Sequence, residues 1–303
     1  MKSRSLTSEQ IQSAGTQAQA WFITTQDLIT PDASLNPRYA FQILVGLWIS
    51  EQGILEDQRY PCSSTYAATI GQYLPEDTDD ALNFLYSDPA LALFSLGILR
   101  FFDIHNEQLE LFAQKISELL HNHTDQNEDE ASELFLVRFL LRRLNLHSRL
   151  SSYTLRKVDP ITLIHADDSV ISKLVKNITA ATHYGQMTRS IEPDMRASLS
   201  SLLPILVLDS FRAYQLEEGM QLLRCMRYLH IHEKNDRIDS LPFLLAQQQP
   251  DGRFGFLADE IQKIESTDQP ASADLSIYLP LTVSFLWTIA EVAHPQFILA
   301  QSF

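Results

Sequence analysis

The chain has little glycine, little cysteine and no long apolar run. Only 9 of its 303 residues are glycine, and few segments look like hairpins, which argues against β-sandwiches, barrels and nucleotide-binding sheets. Its two cysteines, Cys62 and Cys225, are too few for a disulfide framework. The polar segment 1–20 lacks the apolar core of a secretion signal, and no apolar run reaches membrane-spanning length. We therefore expect a cytoplasmic protein without a transmembrane segment.

Positive charge is also scarce, because 23 Lys and Arg stand against 38 Asp and Glu, giving a net charge of −15. Such a surface repels polyanions, so nucleic acid is not expected as a partner. A peripheral membrane role that depends on basic residues is not expected, on the same ground. Hydrophobic residues make up 45% of the chain, which is enough to form a sizeable core.

Apolar residues recur every three or four positions along most of the chain, which indicates helices. About a dozen helices with short connections are predicted, and Pro204 and Pro280 are expected to kink or divide two of them. The fold class is therefore all-α, as six helical hairpins closed in a ring, an irregular bundle or a solenoid. We expect one domain over residues 1–303, with a flexible acidic segment at 121–131. Predicted helices include 8–23, 37–52, 63–73, 90–102, 106–120, 133–146, 168–183, 193–214, 217–230 and 274–292.

One segment has the spacing of a named motif. Phe243 and Leu244 are followed by Gln248, then by Asp251-Gly252 and the aromatic Phe254. Asp-Gly favours a tight turn, the glutamine amide is suited to bonding backbone groups, and the aromatic is expected to pack over the preceding helix. The motif therefore predicts a structural clasp between neighbouring hairpins.

This pattern resembles the glutamine–aromatic repeat of triterpene cyclases and protein prenyltransferase β-subunits, written F-L-x3-Q-x2-D-G-x-W. The resemblance covers Phe243 to Gly255 and implies an α/α toroid of paired helices around an apolar cavity. It also implies a hydrophobic, isoprenoid-like substrate. True cyclases contain several copies of the repeat, whereas this chain has one clear copy.

A second segment, Asp77-Thr78-Asp79-Asp80, resembles the Asp-x-Asp-Asp acid motif of class II terpene cyclases. The resemblance implies that Asp79 protonates an alkene or epoxide, with Asp77 and Asp80 as supporting carboxylates. Clustered carboxylates can hold one proton in a reactive orientation. The alternative is an acidic start of a helix, which the helix dipole favours.

No cofactor or metal site is predicted. The zinc site of prenyltransferases needs an aspartate two residues before a cysteine, whereas Tyr60 and Leu223 occupy those places in this chain. His165 and His183 each lie at a predicted helix terminus, where a histidine is either a cap or a functional group at a cavity mouth. At the end of its helix, His183 is favourably placed for a positive charge.

Two classes of function follow. The first is an enzyme that cyclises an isoprenoid-like substrate by acid initiation, with aromatic faces that stabilise carbocations. The second is a non-catalytic binding or accessory protein that holds a hydrophobic small molecule or a peptide in its cavity or on a concave face. A tailoring enzyme of another class on the same scaffold is a third alternative.

Overall fold

In a computed structural model, the residues whose structure is described are 8–26, 37–52, 63–71, 88–122, 132–146, 153, 155, 163, 167–187, 191–231, 240–255 and 270–293. Within these ranges the chain forms eleven α-helices and no β-strand. The only pairing of strand type there is an isolated antiparallel bridge between Gln248 and Phe254. The all-α prediction is confirmed.

The helices follow one another along the chain as α1 (Ser8–Gln26), α2 (Pro37–Glu51), α3 (Ser63–Gly71), α4 (Pro89–Phe101), α5 (Glu107–Asn122), α6 (Ser132–Arg143), α7 (Asp168–Thr182), α8 (Pro193–Arg212), α9 (Leu216–Tyr228), α10 (Ser240–Leu245) and α11 (Pro270–Ala293).

Two prolines lie inside helices that the sequence predicted to be kinked or divided. Pro204 lies within α8 and Pro280 within α11, and neither marks a helix end. A proline inside a helix costs about 3 kcal/mol. Buried residues on both sides of Pro204, Leu199 and Leu206 among them, hold α8 together across that point.

The predicted acidic segment 121–131 differs from expectation at its start. Residues 121 and 122 form the last turn of α5, because the apolar period of that helix continues through Leu120. The rest of the segment lies outside the described residues.

Side chains and left-handed residues fix the helix ends. Asp88 and Asp167 accept hydrogen bonds from the backbone N–H groups of Leu91 and Val170, which caps the first turns of α4 and α7. The helices α4, α6, α7, α8 and α9 are each followed by a left-handed residue that is not glycine: Asp103, Asn145, His183, Tyr214 and His230. The reversals that end these helices are thus made with almost no glycine.

Six helices contact one another in a closed cycle. The helix α2 packs on α4, α4 on α6, α6 on α7, α7 on α9, α9 on α11, and α11 returns to α2. Several members are buried on all sides; every residue of α4 from Ala92 to Leu99 is buried, as is the segment 135–141 of α6. A helix that is apolar all round lies inside a protein.

The remaining helices pack against members of this cycle or against one another. The helices α1, α3 and α5 each contact two successive members: α11 and α2, α2 and α4, and α4 and α6, respectively. The helix α8 packs on α9, and α10 packs on α8. Among these helices α5 is clearly amphipathic: it buries Leu109, Phe112 and Ala113 toward the cycle, while Leu111 and Leu119 are exposed.

The glutamine–aromatic segment follows α10 and connects the first described helix, α1, to the last, α11. The amide nitrogen of Gln248 donates to the carbonyl of Ala14 in α1 at 2.8 Å and to the carbonyl of Gly252 at 3.1 Å. Gly252 has a φ of +99° and lies so close to α1 that an added Cβ would be 2.1 Å from the carbonyl oxygen of Gln17. The turn is therefore pressed directly onto the backbone of α1.

The aromatic end of the segment engages α11. The backbone N–H of Phe254 donates to the hydroxyl of Thr282 at 2.9 Å, and the buried ring stacks on Phe285 with a centroid separation of 4.4 Å. The sequence predicted packing over the preceding helix, whereas the observed partner belongs to the helix that follows. Asp251 stabilises the turn locally through Arg253, and Phe243 stacks on Phe211 of α8.

Candidate functional site

A cavity of about 230 Å³ is lined by residues from all six helices of the cycle. Aromatic side chains supply much of its wall, and a few polar groups project among them. The aromatic residues are Phe41, Phe94, Tyr184, Tyr228 and Trp287, and the polar ones include Asp88, Lys176, Thr179, Gln221 and Arg224. The cavity therefore lies where the cycle of helices brings its members together.

Phe94 of α4 is the centre of an aromatic cluster on this wall. Its ring centroid lies 5.8 Å from that of Phe41, 5.9 Å from that of Trp287 and 6.1 Å from that of Tyr184. Such separations and tilts are those of favourable aromatic pairs. The cluster joins α2, α4 and α11 to the segment after α7 and gives the cavity rigid, polarisable faces.

Arg224 of α9 brings a positive charge into this aromatic wall. Only 8% of the residue is exposed, and its guanidinium carbon lies 4.5 Å from the centroid of the Trp287 ring, a cation–π contact. Its Nη1 donates to the hydroxyl of Thr288 at 2.8 Å, and Ser284 offers two more acceptor oxygens at 3.4 Å. The guanidinium is thus held against α11 in a defined orientation.

Glu291 lies behind the same wall and is 1% exposed. Its Oε1 accepts hydrogen bonds from the indole N–H of Trp287 at 2.9 Å and from the hydroxyl of Tyr228 at 3.2 Å. Trp287 therefore contacts the arginine with its ring face and the glutamate with its edge. This arrangement fixes the indole plane in the cavity.

The phenols of the two cavity tyrosines, Tyr184 and Tyr228, are held in the neutral form. Burial raises the pKa of Tyr184 above its usual value, and the negative charges of Asp88 and Glu291 raise it further. Burial and Glu291 also raise the pKa of Tyr228. Neither phenol is therefore a ready base at neutral pH.

Two exposed charged residues lie at the edge of the cavity. Asp88 is fixed by its role as the cap of α4. Lys176 of α7 forms an ion pair with Glu133 of α6. Since both side chains have other partners, Arg224 is the charged group that belongs most fully to the interior.

The catalytic roles of Asp77, Asp79, Asp80, His165 and His183 stay predictions. Asp77, Asp79, Asp80 and His165 lie outside the described residues. His183 adopts a left-handed conformation at the end of α7, and its ring packs against Phe135 and Phe139 at 5.2 and 5.4 Å.

The expectation that His183 is well placed for a positive charge is wrong. Burial lowers the pKa of its imidazole, and the nearby charge of Arg142 lowers it further. The favourable effect of a helix C-terminus is outweighed because two phenyl rings replace water around the imidazole. His183 does not line the cavity, whereas its neighbour Tyr184 does.

Sequence reasoning missed the group formed by Arg224, Trp287 and Glu291. A signal was present for Glu291, which is a single charge inside an otherwise apolar helical stretch, because such charges are rarely buried without a partner or a function. The sequence did not predict that α9 and α11 pack with these three residues facing each other.

Two absences within the described residues bear on the class of site. No group of three or more His, Cys, Asp or Glu side chains in them is arranged to hold a metal ion. None of the helices there is long and apolar enough to cross a membrane.

Comparison with known proteins adds no family. No protein-family model matches the chain, and neither a curated protein nor a solved structure is significantly similar to it.

Proposed function

We propose that the protein is an α/α toroid that binds a small, mainly hydrophobic molecule in its central cavity. One observation is the main support: the cavity is lined by every helix of the closed cycle and is walled by five aromatic side chains. Concave, mostly apolar sites with a few convergent polar groups are typical of small-molecule binding. The clasp from Gln248 to α1 and from Phe254 to α11 supports the toroid.

The size of the cavity restricts the ligand. A volume of about 230 Å³ lies just below the usual range for drug-sized ligands. A monoterpenoid or a compact aromatic compound suits this space.

The experiment is calorimetric titration of the protein with geraniol, geranic acid and naphthalene-acetic acid. We expect the wild-type protein to bind at least one compound at a single site. Ala90→Trp, which places a large ring in the cavity wall, abolishes that binding. Ala197→Trp on the exposed face of α8 is the matched control and leaves it unchanged. If no compound binds, or if Ala90→Trp binds as well as wild type, the proposal is wrong.

A second candidate is the acid-initiated cyclisation that the resemblance implies, with Asp79 as proton donor and Asp77 and Asp80 in support. The aromatic cluster around Phe94 favours it, because aromatic faces stabilise carbocations. The buried cation of Arg224 disfavours it, since a positive charge in the wall repels a cationic intermediate. We therefore rank binding first.

Cyclisation is tested by incubating the protein with an isoprenoid panel and analysing the products by gas chromatography and mass spectrometry. A cyclised product that forms with wild type and disappears with Asp79→Asn is expected if this candidate holds. Turnover that persists in Asp79→Asn would show that Asp79 is not the acid, and the absence of any product would remove the candidate.

A further inference from the structure

Arg224 is a buried cation that contacts no carboxylate directly within the described residues; the buried Glu291 instead bonds the indole N–H of Trp287, the ring against which the guanidinium packs. Within the part of the chain that the structure describes, no carboxylate lies within 4.0 Å of its guanidinium. Its protein partners are neutral: the Trp287 ring, the Thr288 hydroxyl and the oxygens of Ser284. Removing a charge from water is costly unless an opposite charge or several hydrogen bonds replace the water.

The nearby acidic groups have other roles. Glu291 accepts hydrogen bonds from Trp287 and Tyr228, and Asp88 caps α4 from an exposed position. Both are near enough to raise the pKa of Tyr184, while Arg224 has the opposite effect on it. Arg224 is therefore close to Tyr184, and among the described lining residues it supplies the only strongly buried positive charge.

We propose that the ligand is a small organic acid whose carboxylate binds Arg224 while its apolar body packs on the aromatic cluster around Phe94. This inference rests on the proposed binding function and specifies the class of ligand. A guanidinium is matched in shape to a carboxylate, which it can bind through two parallel hydrogen bonds. The cation–π contact with Trp287 and the bonds to α11 orient the guanidinium in advance of binding.

A carboxylate is favoured over a phosphate for two reasons. One buried arginine balances one negative charge, whereas a phosphate monoester carries nearly two at neutral pH. Among the lining residues that the structure describes, the only other cation, Lys176, is already paired with Glu133. The acidic protein as a whole repels anions. The buried guanidinium of Arg224 would supply the local attraction that a bound monoanion needs.

The test compares matched acids and amides of the same shape. Naphthalene-acetic acid with naphthalene-acetamide, and geranic acid with geranamide, are titrated calorimetrically into the full-length protein at neutral pH. We expect the acid of at least one pair to bind wild type about tenfold or more tightly than its amide, as is typical of hydrogen bonds to charged groups. In Arg224→Gln that preference disappears, while the affinity for the amide changes less than about threefold.

Two variants serve as controls. Arg212→Gln removes the same charge from an exposed position at the end of α8, so it should retain the preference for the acid. Arg224→Lys keeps the charge but not the paired geometry, and we expect an intermediate preference. If Arg224→Gln does not fold, the comparison of wild type with Arg224→Lys and Arg212→Gln still gives the answer.

The outcomes separate this inference from the proposed function. If acid and amide bind wild type equally well, the cavity is a binding site but Arg224 does not select an anion, and the inference is overturned. The same follows if Arg212→Gln reduces the preference as much as Arg224→Gln does. If neither member of either pair binds wild type although geraniol does, only the inference is overturned; if geraniol does not bind either, the proposed function fails with it.

Discussion

The side-chain amide of Gln248 donates a hydrogen bond of 2.8 Å to the carbonyl of Ala14, a residue 234 positions earlier in the chain. The same nitrogen also donates to Gly252, so one amide connects α1 to the turn after α10. The backbone of that turn continues to Phe254, which is bonded to α11. A single segment therefore ties the first described helix to the last.

Gln248→Ala should reduce the free energy of unfolding by about 1 to 3 kcal/mol, because two backbone carbonyls lose their donor. Urea denaturation monitored by circular dichroism measures the change. The control is Gln247→Ala, whose amide bonds only Phe243 of its own helical segment, at 3.4 Å, and which should lose less. Equal losses of unfolding free energy in the two variants would mean that the hydrogen bond from Gln248 to α1 contributes no more to stability than the bond from Gln247 to Phe243.

Gly252→Ala should be more damaging than Gly255→Ala, although both glycines have a positive φ of about +100°. The left-handed conformation alone costs an alanine about 1 to 2 kcal/mol. At Gly252 the added Cβ also meets the backbone of Gln17 at 2.1 Å, whereas at Gly255 it meets the tip of the Leu281 side chain at 2.7 Å.

A side-chain tip can rotate away, but the backbone of a packed helix cannot. We therefore expect Gly252→Ala to lose roughly 1 to 3 kcal/mol more than Gly255→Ala. Thermal unfolding of the two variants under the same conditions makes the comparison. Equal melting temperatures would show that α1 is free to move away from the turn.

Much of the helical content could be predicted from the sequence, since the apolar period and the capping residues are local signals. Asp167 and Pro193, for example, mark the starts of α7 and α8. The closed cycle was not predictable in this way, because the contacts of α11 with α1 and α2 join distant parts of the chain. Only the segment from Gln248 to Phe254 carried a hint of them, through its resemblance to a known repeat.

The candidate site was harder to predict than the fold. Arg224, Trp287 and Glu291 have no characteristic spacing, and their grouping depends on how α9 and α11 are rotated about their axes. Helical periodicity predicts that a face is buried, not which residue of a neighbouring helix it meets. His183 and Tyr184 show the same limit, since one packs on Phe135 and Phe139 while the next residue lines the cavity.

The stability of the protein should depend on His183 at mildly acidic pH. Burial and Arg142 lower the pKa of the folded imidazole below the 6.5 of an ordinary histidine. Below about pH 6.5 the unfolded state therefore binds a proton that the folded state resists, and stability falls as the pH decreases. The loss stops growing once the pH is below the folded pKa.

His183→Asn isolates this effect, because asparagine accepts the left-handed conformation and does not titrate. The free energy of unfolding of both proteins is measured from pH 7.5 to 5.0. We expect wild type to lose more stability than His183→Asn over this range, since all other groups titrate alike in the two. Parallel curves would contradict the burial-induced shift.

Cys225 should be chemically inert in the folded protein. It is fully buried in α9, and burial raises the pKa of its thiol from 9.0 to about 12. At pH 8 the thiolate, which is the reactive form, is then about a thousandfold less populated than in an exposed cysteine. In a Cys62→Ser background, where Cys225 is the only thiol, iodoacetamide should modify the protein rapidly in urea and extremely slowly without it.

The slow reaction of Cys225 should accelerate in Gly252→Ala if that variant opens the fold more often, because labelling then follows the population of opened molecules. Native modification of Cys225 at the rate seen in urea would mean that α9 is not packed against α7 and α11 as described.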